Sequence, residues 1–200
     1  MVQIVKKGQS IELKKKDGLG LSSVAIGLGW GLRESSGGFL SKLFGGDGSV
    51  DLDASCISYD ANKTPVDSVW FGNLNSADGS INHTGDDLSG GGSSNEPNEV
   101  INVNLLAVPA NISSIVFVVN SYSGETFSGI PSAFCNVVDN NSGSEIARYN
   151  LSTDGRDYKG FIIAKVYRTA SGWSFSAIGE SCSGRQQTVD DIEPQARNFA

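Results

Sequence analysis

The sequence has few of the residues that bind soft or borderline metals. It contains three cysteines, Cys56, Cys135 and Cys182, and one histidine, His83. No two cysteines have the CxxC spacing of a zinc site, and three widely separated cysteines do not make a disulfide framework. We therefore expect the cysteines to be buried as small apolar side chains. The alternative is a thiol that reacts with an oxidant.

Long apolar runs and helical periodicity are also missing. No stretch approaches the roughly 18–20 consecutive apolar residues that cross a bilayer, and residues 1–10 lack the charged-then-apolar order of a signal peptide. We therefore expect a soluble, cytoplasmic protein. The lack of helical periodicity argues against an α/β architecture, because parallel strands need crossover helices.

Positive charge is scarce in one part of the chain. Residues 47–99 carry ten acidic side chains and one basic side chain, Lys63, so that segment has a net charge of -9 within a total of -7. Such a surface opposes nucleic acid, whose affinity comes from neutralised phosphates. Crowded carboxylates repel each other unless a counter-ion gathers them. The predicted partner is a cation.

The residues that are present favour β-strands. Apolar residues recur mainly at period two, and Gly, Asn, Asp and Ser separate the runs. The continuously apolar segment Ile115–Val119 predicts a central strand covered on both faces. The pattern predicts ten strands, at residues 10–14, 24–30, 51–59, 66–71, 101–105, 115–120, 133–138, 145–151, 161–168 and 173–178. We expect an all-β fold, a sandwich of two antiparallel sheets.

The predicted domain organisation is a single sandwich domain over residues 1–182. Residues 33–48, rich in Gly and Ser, interrupt the strand pattern and predict an insertion loop. Its Phe and Leu side chains either fold onto the domain or face a partner. Residues 183–200 predict a polar, weakly ordered extension with one short helical turn around residues 188–192.

Two groups of acidic residues carry the candidate chemistry, and the first is a pair. Asp51 and Asp53 are two apart on a predicted strand. Alternation places both carboxylates on one face, about 7 Å apart, with Leu52 and Ala54 towards the core. Two like charges in that arrangement favour a bound cation.

The second group lies in the glycine-rich segment 83–99. It offers adjacent carboxylates at Asp86 and Asp87, glycine carbonyls, and the side-chain oxygens of Asn98 and Glu99. Calcium takes six to eight oxygens of these kinds, whereas magnesium demands a tighter octahedron and borderline ions prefer His or Cys. Calcium is therefore the predicted ion. The segment does not continue the EF-hand pattern beyond DxD. From composition alone, an acidic turn that faces solvent and binds no metal remains an alternative interpretation.

Long motifs in a fixed order carry a family resemblance across about residues 4–182. They are VAIGLGW at 24–30, DLDAS at 51–55, VWFGNLNSADGSINHTGDDLSG at 69–90 and ARYNLS at 147–152. This order resembles the TerD family of tellurium-resistance and stress-response proteins, above all its TerZ-type members, which share a glycine-rich insertion before DLDAS. The resemblance implies a β-sandwich that binds calcium and has no known catalytic centre. It also implies other tellurium-resistance proteins or a membrane-bound complex as partners, and a peripheral place at the inner face of the membrane.

The resemblance also suggests which residues hold calcium. The family's motif reads GDN followed by a TGxGxGDDE-like run; Gly85 to Asp87 keeps the opening, whereas residues 92–99 are longer by about two residues and poorer in Asp. Fewer carboxylates weaken a calcium site, so we expect one firm site and a second that is weak or absent. The firm site is predicted to use Asp51, Asp53, Asp86, Asp87 and the amide oxygen of Asn73. Asn98 and Glu99 would close the second.

Two other functions remain open. A calcium-dependent lipid- or sugar-binding module would use an aromatic side chain beside the acidic loop; Trp70 is the candidate, although tryptophan is more often part of the core. A hydrolase would use paired carboxylates, and Asp51 with Asp86 could meet the glycosidase spacing of about 5–9.5 Å. No GxSxG elbow accompanies His83 for a serine mechanism. We expect no enzymatic activity.

Overall fold

A computed structural model describes residues 2–31, 51–88, 96–122, 124, 126–127, 130, 132–151, 157–182 and 189–200. The predicted insertion at 33–48 lies outside these residues. The strands are β1 (Gln3–Ile4), β2 (Ser10–Glu12), β3 (Ser23–Trp30), β4 (Leu52–Tyr59), β5 (Pro65–Val69), β6 (Ile81–His83), β7 (Glu99–Asn104), β8 (Ser114–Ser121), β9 (Ala133–Asp139), β10 (Ser144–Asn150), β11 (Gly160–Thr169) and β12 (Gly172–Cys182). They are followed by helix α1 (Val189–Ala196) and a 3-10 turn (Arg197–Phe199).

The described strands form two six-stranded sheets. Sheet A has the order β1-β10-β9-β3-β7-β6 and sheet B the order β2-β12-β11-β8-β4-β5. The strand pairs are antiparallel except for β1, which lies parallel to β10. The predicted all-β sandwich is confirmed. Each of the ten predicted strands has a counterpart, and the two- and three-residue strands β1 and β6 are additional.

The core explains why β8 reads as a continuous apolar run. Ile115, Phe117 and Val119 pack between the two sheets, whereas Val116 and Val118 belong to a second cluster on the outer face of sheet B. Both faces of this strand are buried, as predicted. Because neither face of this strand meets water, apolar residues are favoured on both faces, and the sequence does not alternate.

Helix α1 covers the outer face of sheet B. Its buried residues Val189, Ile192 and Ala196 recur at helical spacing and therefore share one face. The Lys165 Nζ donates to the carbonyl of Phe199 at 2.7 Å and anchors the end of the chain. The helix is longer than the single turn that the sequence predicts. In the described residues, no helix has the length and hydropathy to cross a membrane.

The three cysteines are free and buried, as expected. Burial raises the pKa of the Cys135 thiol to about 12, and burial likewise raises the pKa of Cys182 to about 12. The pKa of Cys56 is raised further for the same reason. Since the thiolate is the reactive form, burial keeps all three thiols in their unreactive state.

The sandwich has two chemically distinct ends, which the register of β3 defines. The end of this strand at Leu28 pairs with Glu99, and the start pairs Ser23 with Asn104 and Val24 with Asp139. We call the end that holds Glu99 the acidic end. The opposite end carries Lys14, Lys15 and Lys16 and is called the lysine end.

Candidate metal centre

Strand β4 brings two aspartates to the acidic end. Asp51 directly precedes the strand and Asp53 is its second residue. Leu52 and Ala54 point into the core, as predicted, so the two carboxylates face the other way. Asn120 lies opposite Asp53 on β8, and its Nδ2 donates to Asp53 Oδ2 at 3.0 Å. Asn120 is not among the residues that the sequence predicts for the site. Its one sequence signal is that it is polar and ends an otherwise apolar strand.

The connection between β6 and β7 supplies the third carboxylate, Asp86. Gly85 has a φ of 122°, a region that glycine enters without strain. The Gly85 N–H donates to His83 Nδ1 at 3.1 Å, so Nε2 carries the ring hydrogen and donates to the carbonyl of Ala54, also at 3.1 Å. The buried histidine thus joins β6 of sheet A to β4 of sheet B.

Three carboxylates converge at this point. One oxygen each of Asp51, Asp53 and Asp86 lies within 4.8 Å of the other two, and we call this group the carboxylate cluster. Asp51 Oδ1 is shielded from solvent and accepts no hydrogen bond from the described residues. A buried anionic oxygen without a donor is costly unless a cation supplies the missing positive charge.

Glu99 links the cluster to the neighbouring loop. The side chain is 1% exposed, and its Oε2 accepts the N–H of Ala54 at 2.7 Å. Its Oε1 accepts the N–H of Asp87 at 3.0 Å. One carboxylate therefore ties β4 to the loop that carries Asp86 and Asp87, and it bridges the two sheets.

Asn98 holds the same loop against β3. Its backbone N–H donates to the carbonyl of Leu28 at 2.8 Å, and its Oδ1 accepts the N–H of Trp30 at 2.8 Å. Its Nδ2 donates to Asp87 Oδ2 at 3.0 Å. Asn98 thus fixes the position of the Asp87 carboxylate relative to sheet A.

Burial and mutual repulsion dominate the electrostatics. Burial raises the pKa of Asp51 to about 6, and the charges of Asp86 and Glu99 add to the effect. Burial raises the pKa of Asp53 to about 8, where the charge of Asp51 adds and the hydrogen bond from Asn120 opposes. The pKa of Asp86 is also raised, first by burial and then by Glu99. A nearby cation would reverse these shifts because it favours the ionised form.

The donor set fits a hard cation. The converging atoms are all oxygens, and both ring nitrogens of His83 already have hydrogen-bond partners. Divalent ions that prefer nitrogen or sulfur would find neither free at this point among the described residues. Oxygen-ligated ions such as calcium match these residues.

Comparison with known proteins agrees with the motifs. The family model described as TerD domain matches residues 1–189. The chain belongs to the TerD family. It is 42% identical over 192 residues to tellurium resistance protein TerZ of Serratia marcescens. That alignment covers 96% of this chain and 95% of TerZ. It is 41% identical over 195 residues to stress response protein SCP2 of Bacillus subtilis, and the alignment covers 94% of this chain and 96% of SCP2.

A solved structure shows the same fold as this TerD-family chain. The crystal structure of a homologue of telluride resistance protein (TerD) from Streptomyces coelicolor matches with a TM-score of 0.64 at 20% identity. The match covers 82% of this chain and 92% of the homologue. The family resemblance that the motifs predict is confirmed, and the two-sheet sandwich is the fold of the family.

The TerD-family structure brings together part of the predicted ligand set. Asp51, Asp53 and Asp86 form the cluster, and hydrogen bonds hold the other residues predicted in this loop beside it: Asp87, Asn98 and Glu99. Asn73 lies in the turn after β5, where its Nδ2 donates to the carbonyl of Ser68 at 2.8 Å. Metal ligation by Asn73, Asp87, Asn98 and Glu99 stays a prediction. Residues 89–95 of this segment lie outside the described residues.

Aromatic side chains lie beside the cluster. Trp70 packs edge-to-face on Phe71, with ring centres 4.7 Å apart, and Phe71 packs in the same way on Tyr122 at 5.5 Å. The Tyr122 N–H donates to the carbonyl of Asp51 at 3.0 Å, and its side chain is 47% exposed. Trp70 itself is half-buried. Among the described residues, Tyr122 therefore presents the exposed aromatic ring next to the cluster.

Proposed function

We propose that this TerD-family chain is a cytoplasmic, calcium-binding stress-response protein. It acts in tellurite resistance through calcium-dependent contacts with other tellurium-resistance proteins, including a membrane-bound complex, and it catalyses no reaction. The observation that carries the proposal is Asp51 Oδ1, a shielded acceptor that has no donor among the described residues and lies inside a group of three converging carboxylates. A cation is the partner that this arrangement lacks.

Calcium suits the site better than magnesium does. The carboxylates come from β4 and from a loop opened by Gly85, and such a set of side-chain and loop oxygens adapts to six to eight ligands. Magnesium keeps several waters and demands a near-ideal octahedron. The stoichiometry we propose is one firm calcium ion at the carboxylate cluster.

The residues of the site suggest how calcium binding would change the surface that a partner contacts. Asp53 belongs to sheet B, whereas Asp86 follows β6 of sheet A. An ion shared between them would join the two sheets and order the loop at residues 84–88. Asn98 and Glu99 hold that loop from the other side, so the loaded loop would present one defined surface.

Thermal melts and calorimetric titration with the metal alone test this proposal. At about a thousand times its dissociation constant, a ligand adds roughly 4 kcal/mol to stability, which is about 8–16 °C in Tm for a chain of this size. We expect calcium to raise Tm from its value in chelator, magnesium to raise it less, and the titration to give about one site.

A matched pair of variants locates the ion. Asp51→Asn with Asp86→Asn should abolish the calcium-dependent rise. Asp157→Asn with Asp190→Asn removes the same charge from exposed positions and should leave the rise unchanged. Calcium binding that survives the first pair, or a wild-type melt that calcium does not move, would show that the site assignment is wrong.

A calcium-dependent lipid- or sugar-binding module is the second candidate. The observation that favours it is the Phe71–Tyr122 pair, which ends in an exposed ring beside Asp51. Binding to glycans and to vesicles should then require calcium and should fall with Tyr122→Ser. Binding that is equal in calcium and in chelator would remove this candidate.

A further inference from the structure

A buried asparagine lies beside the carboxylate cluster. Asn120, near the end of β8, is 2% exposed and lies directly opposite Asp53, which is also 2% exposed. Its Nδ2 donates to Asp53 Oδ2 at 3.0 Å. Because β8 and β4 are neighbours in sheet B, the strand pairing itself places this amide next to one carboxylate of the cluster.

Packing does not explain an amide at this position. Val118, two residues earlier on the same face of β8, belongs to the apolar cluster under helix α1. Gly160 lies opposite Asn120 on β11, and a Cβ there would be 3.2 Å from Ile192 Cδ1 of that helix. An apolar side chain would suit these neighbours, whereas a buried amide costs free energy unless it is hydrogen-bonded. The hydrogen bond to Asp53 is therefore the feature that distinguishes this residue.

That hydrogen bond limits how Asp53 can meet an ion. A carboxylate can bind calcium with one oxygen or with both. Because the Asn120 amide holds Oδ2, the Asp53 side chain has a fixed orientation, and Oδ1 is the oxygen that this bond leaves to an ion. The donor also stabilises the negative charge of a buried carboxylate in the absence of metal.

We propose that Asn120 is a positioning residue of the calcium site and holds Asp53 as a monodentate ligand. This role rests on the proposed function, since it needs a calcium ion at the carboxylate cluster. Hydrogen-bonded partners of metal ligands orient those ligands and raise affinity, because less ordering is left to the binding step. A single oxygen from Asp53 also leaves more of the coordination sphere to Asp51, to Asp86 and to oxygens outside the cluster.

Titration of the full chain with calcium alone tests the proposal. Asn120→Leu removes the donor and keeps a side chain of similar size, and it should weaken calcium binding about 10–100-fold. Ser114→Ala is the matched control, because Ser114 is a buried polar residue on the same face of β8 at the other end of the strand. The control should bind calcium as the wild type does. Thermal melts in chelator check that each variant is folded.

A double-mutant cycle separates positioning from a general effect on the fold. In an Asp53→Asn background no charged carboxylate is left for Asn120 to orient, so Asn120→Leu should there change calcium affinity by no more than about twofold. Calorimetry measures the stronger binding, and the calcium-dependent rise in Tm measures the weaker binding. An equal loss in both backgrounds would mean that Asn120 binds the ion itself or only supports the fold, and the proposal would be wrong.

The other outcomes distinguish this role from the proposed function. If the wild type binds calcium and Asn120→Leu binds it equally well, the positioning role is wrong and the calcium site stands. The positioning role is also wrong if Ser114→Ala loses as much binding as Asn120→Leu. A wild type that binds no calcium would overturn both. If Asn120→Leu does not fold in chelator, Asn120→Ala enters the same cycle, since it removes the donor without adding an apolar side chain of that size.

Discussion

Two shielded aspartates at opposite ends of the sandwich have opposite pKa shifts. Asp139, 7% exposed at the lysine end, has a lowered pKa because the Ser142 hydroxyl and the Asn141 N–H donate to it. Asp53, 2% exposed at the acidic end, has a pKa raised to about 8 by burial and by Asp51. Hydrogen-bond donors stabilise the ionised form of a buried carboxylate, whereas neighbouring carboxylates destabilise it. A nearby cation would compensate for that repulsion. This difference supports the proposal that the acidic end binds the metal.

The largest predicted effect on stability concerns Glu99. Glu99→Ala should lower the free energy of unfolding by about 2–4 kcal/mol, because the buried N–H groups of Ala54 and Asp87 lose a charged acceptor. Relief of repulsion on the cluster offsets only part of this loss. Urea denaturation measures the change. Glu99→Gln keeps one acceptor and should lose less; equal losses in the two variants would contradict the bridging role.

Two glycines test whether the acidic end is also the more tightly packed one. A Cβ on Gly27 would lie 2.7 Å from Pro97 Cβ and would also clash with Asn136, whereas one on Gly20 at the lysine end meets nothing within 4 Å. Gly27→Ala should cost about 1–3 kcal/mol, and it should weaken calcium binding because Pro97 precedes Asn98. Gly20→Ala should stay within about 0.5 kcal/mol. Thermal unfolding measures both losses of stability. Similar losses in the two variants would contradict the tighter packing of the acidic end.

The pH dependence of stability should have opposite signs at the two ends. Because the folded-state pKa of Asp53 lies near 8, above its ordinary value of 3.8, the folded state binds more protons between these values. In chelator, this group therefore lowers the free energy of unfolding as pH rises from about 4 to about 8. Asp53→Asn should remove that slope. Asp139→Asn should remove a contribution of the other sign, since its lowered pKa stabilises the fold above the ordinary value and loses that effect in acid.

Denaturation curves of the wild type and Asp53→Asn between about pH 4 and about pH 8 give the first slope by difference. Curves of the wild type and Asp139→Asn below the ordinary pKa of 3.8 give the second. A wild-type curve in chelator that matches the Asp53→Asn curve at every pH would contradict the raised pKa. Saturating calcium should flatten the Asp53 contribution, because the ion favours the ionised carboxylate.

The smallest effect is expected at the surface ion pair of the lysine end. Lys14 and Glu12 lie 2.9 Å apart, and their side chains are 34% and 55% exposed. Such pairs contribute little, because water screens the charges and the side chains lose freedom when they pair. Glu12→Ala should leave the urea midpoint unchanged within error. A clear loss there would mean that the lysine end depends on its charges as the acidic end does.

Strand positions follow from the sequence because alternation is local. The period-two pattern predicts ten strands, and each has its counterpart in the sandwich. The short strands β1 and β6 are too brief to show a period, so the pattern misses them. The parallel pairing of β1 with β10 also has no local signal, since it joins residues far apart in the chain.

The candidate site likewise has a part that local sequence predicts and a part that only long-range contacts form. Asp51 and Asp53 are predictable as a pair because residues two apart on a strand share a face. Asn120 reaches Asp53 from 67 positions away, and the Ala54 N–H reaches Glu99 across 45 positions. Neither contact has a signature within a window of sequence.

The sequence by itself determined the class of the fold, the family and the concentration of acidic residues between 47 and 99. Those properties depend on local patterns and on composition. Only the tertiary structure decided that Asp86 meets Asp51 and Asp53 within 4.8 Å, and that one Asp51 oxygen has no donor in the part of the chain that the structure describes. The reason is that these groups come from different sheets, and their separation depends on how the strands pair and how the two sheets pack.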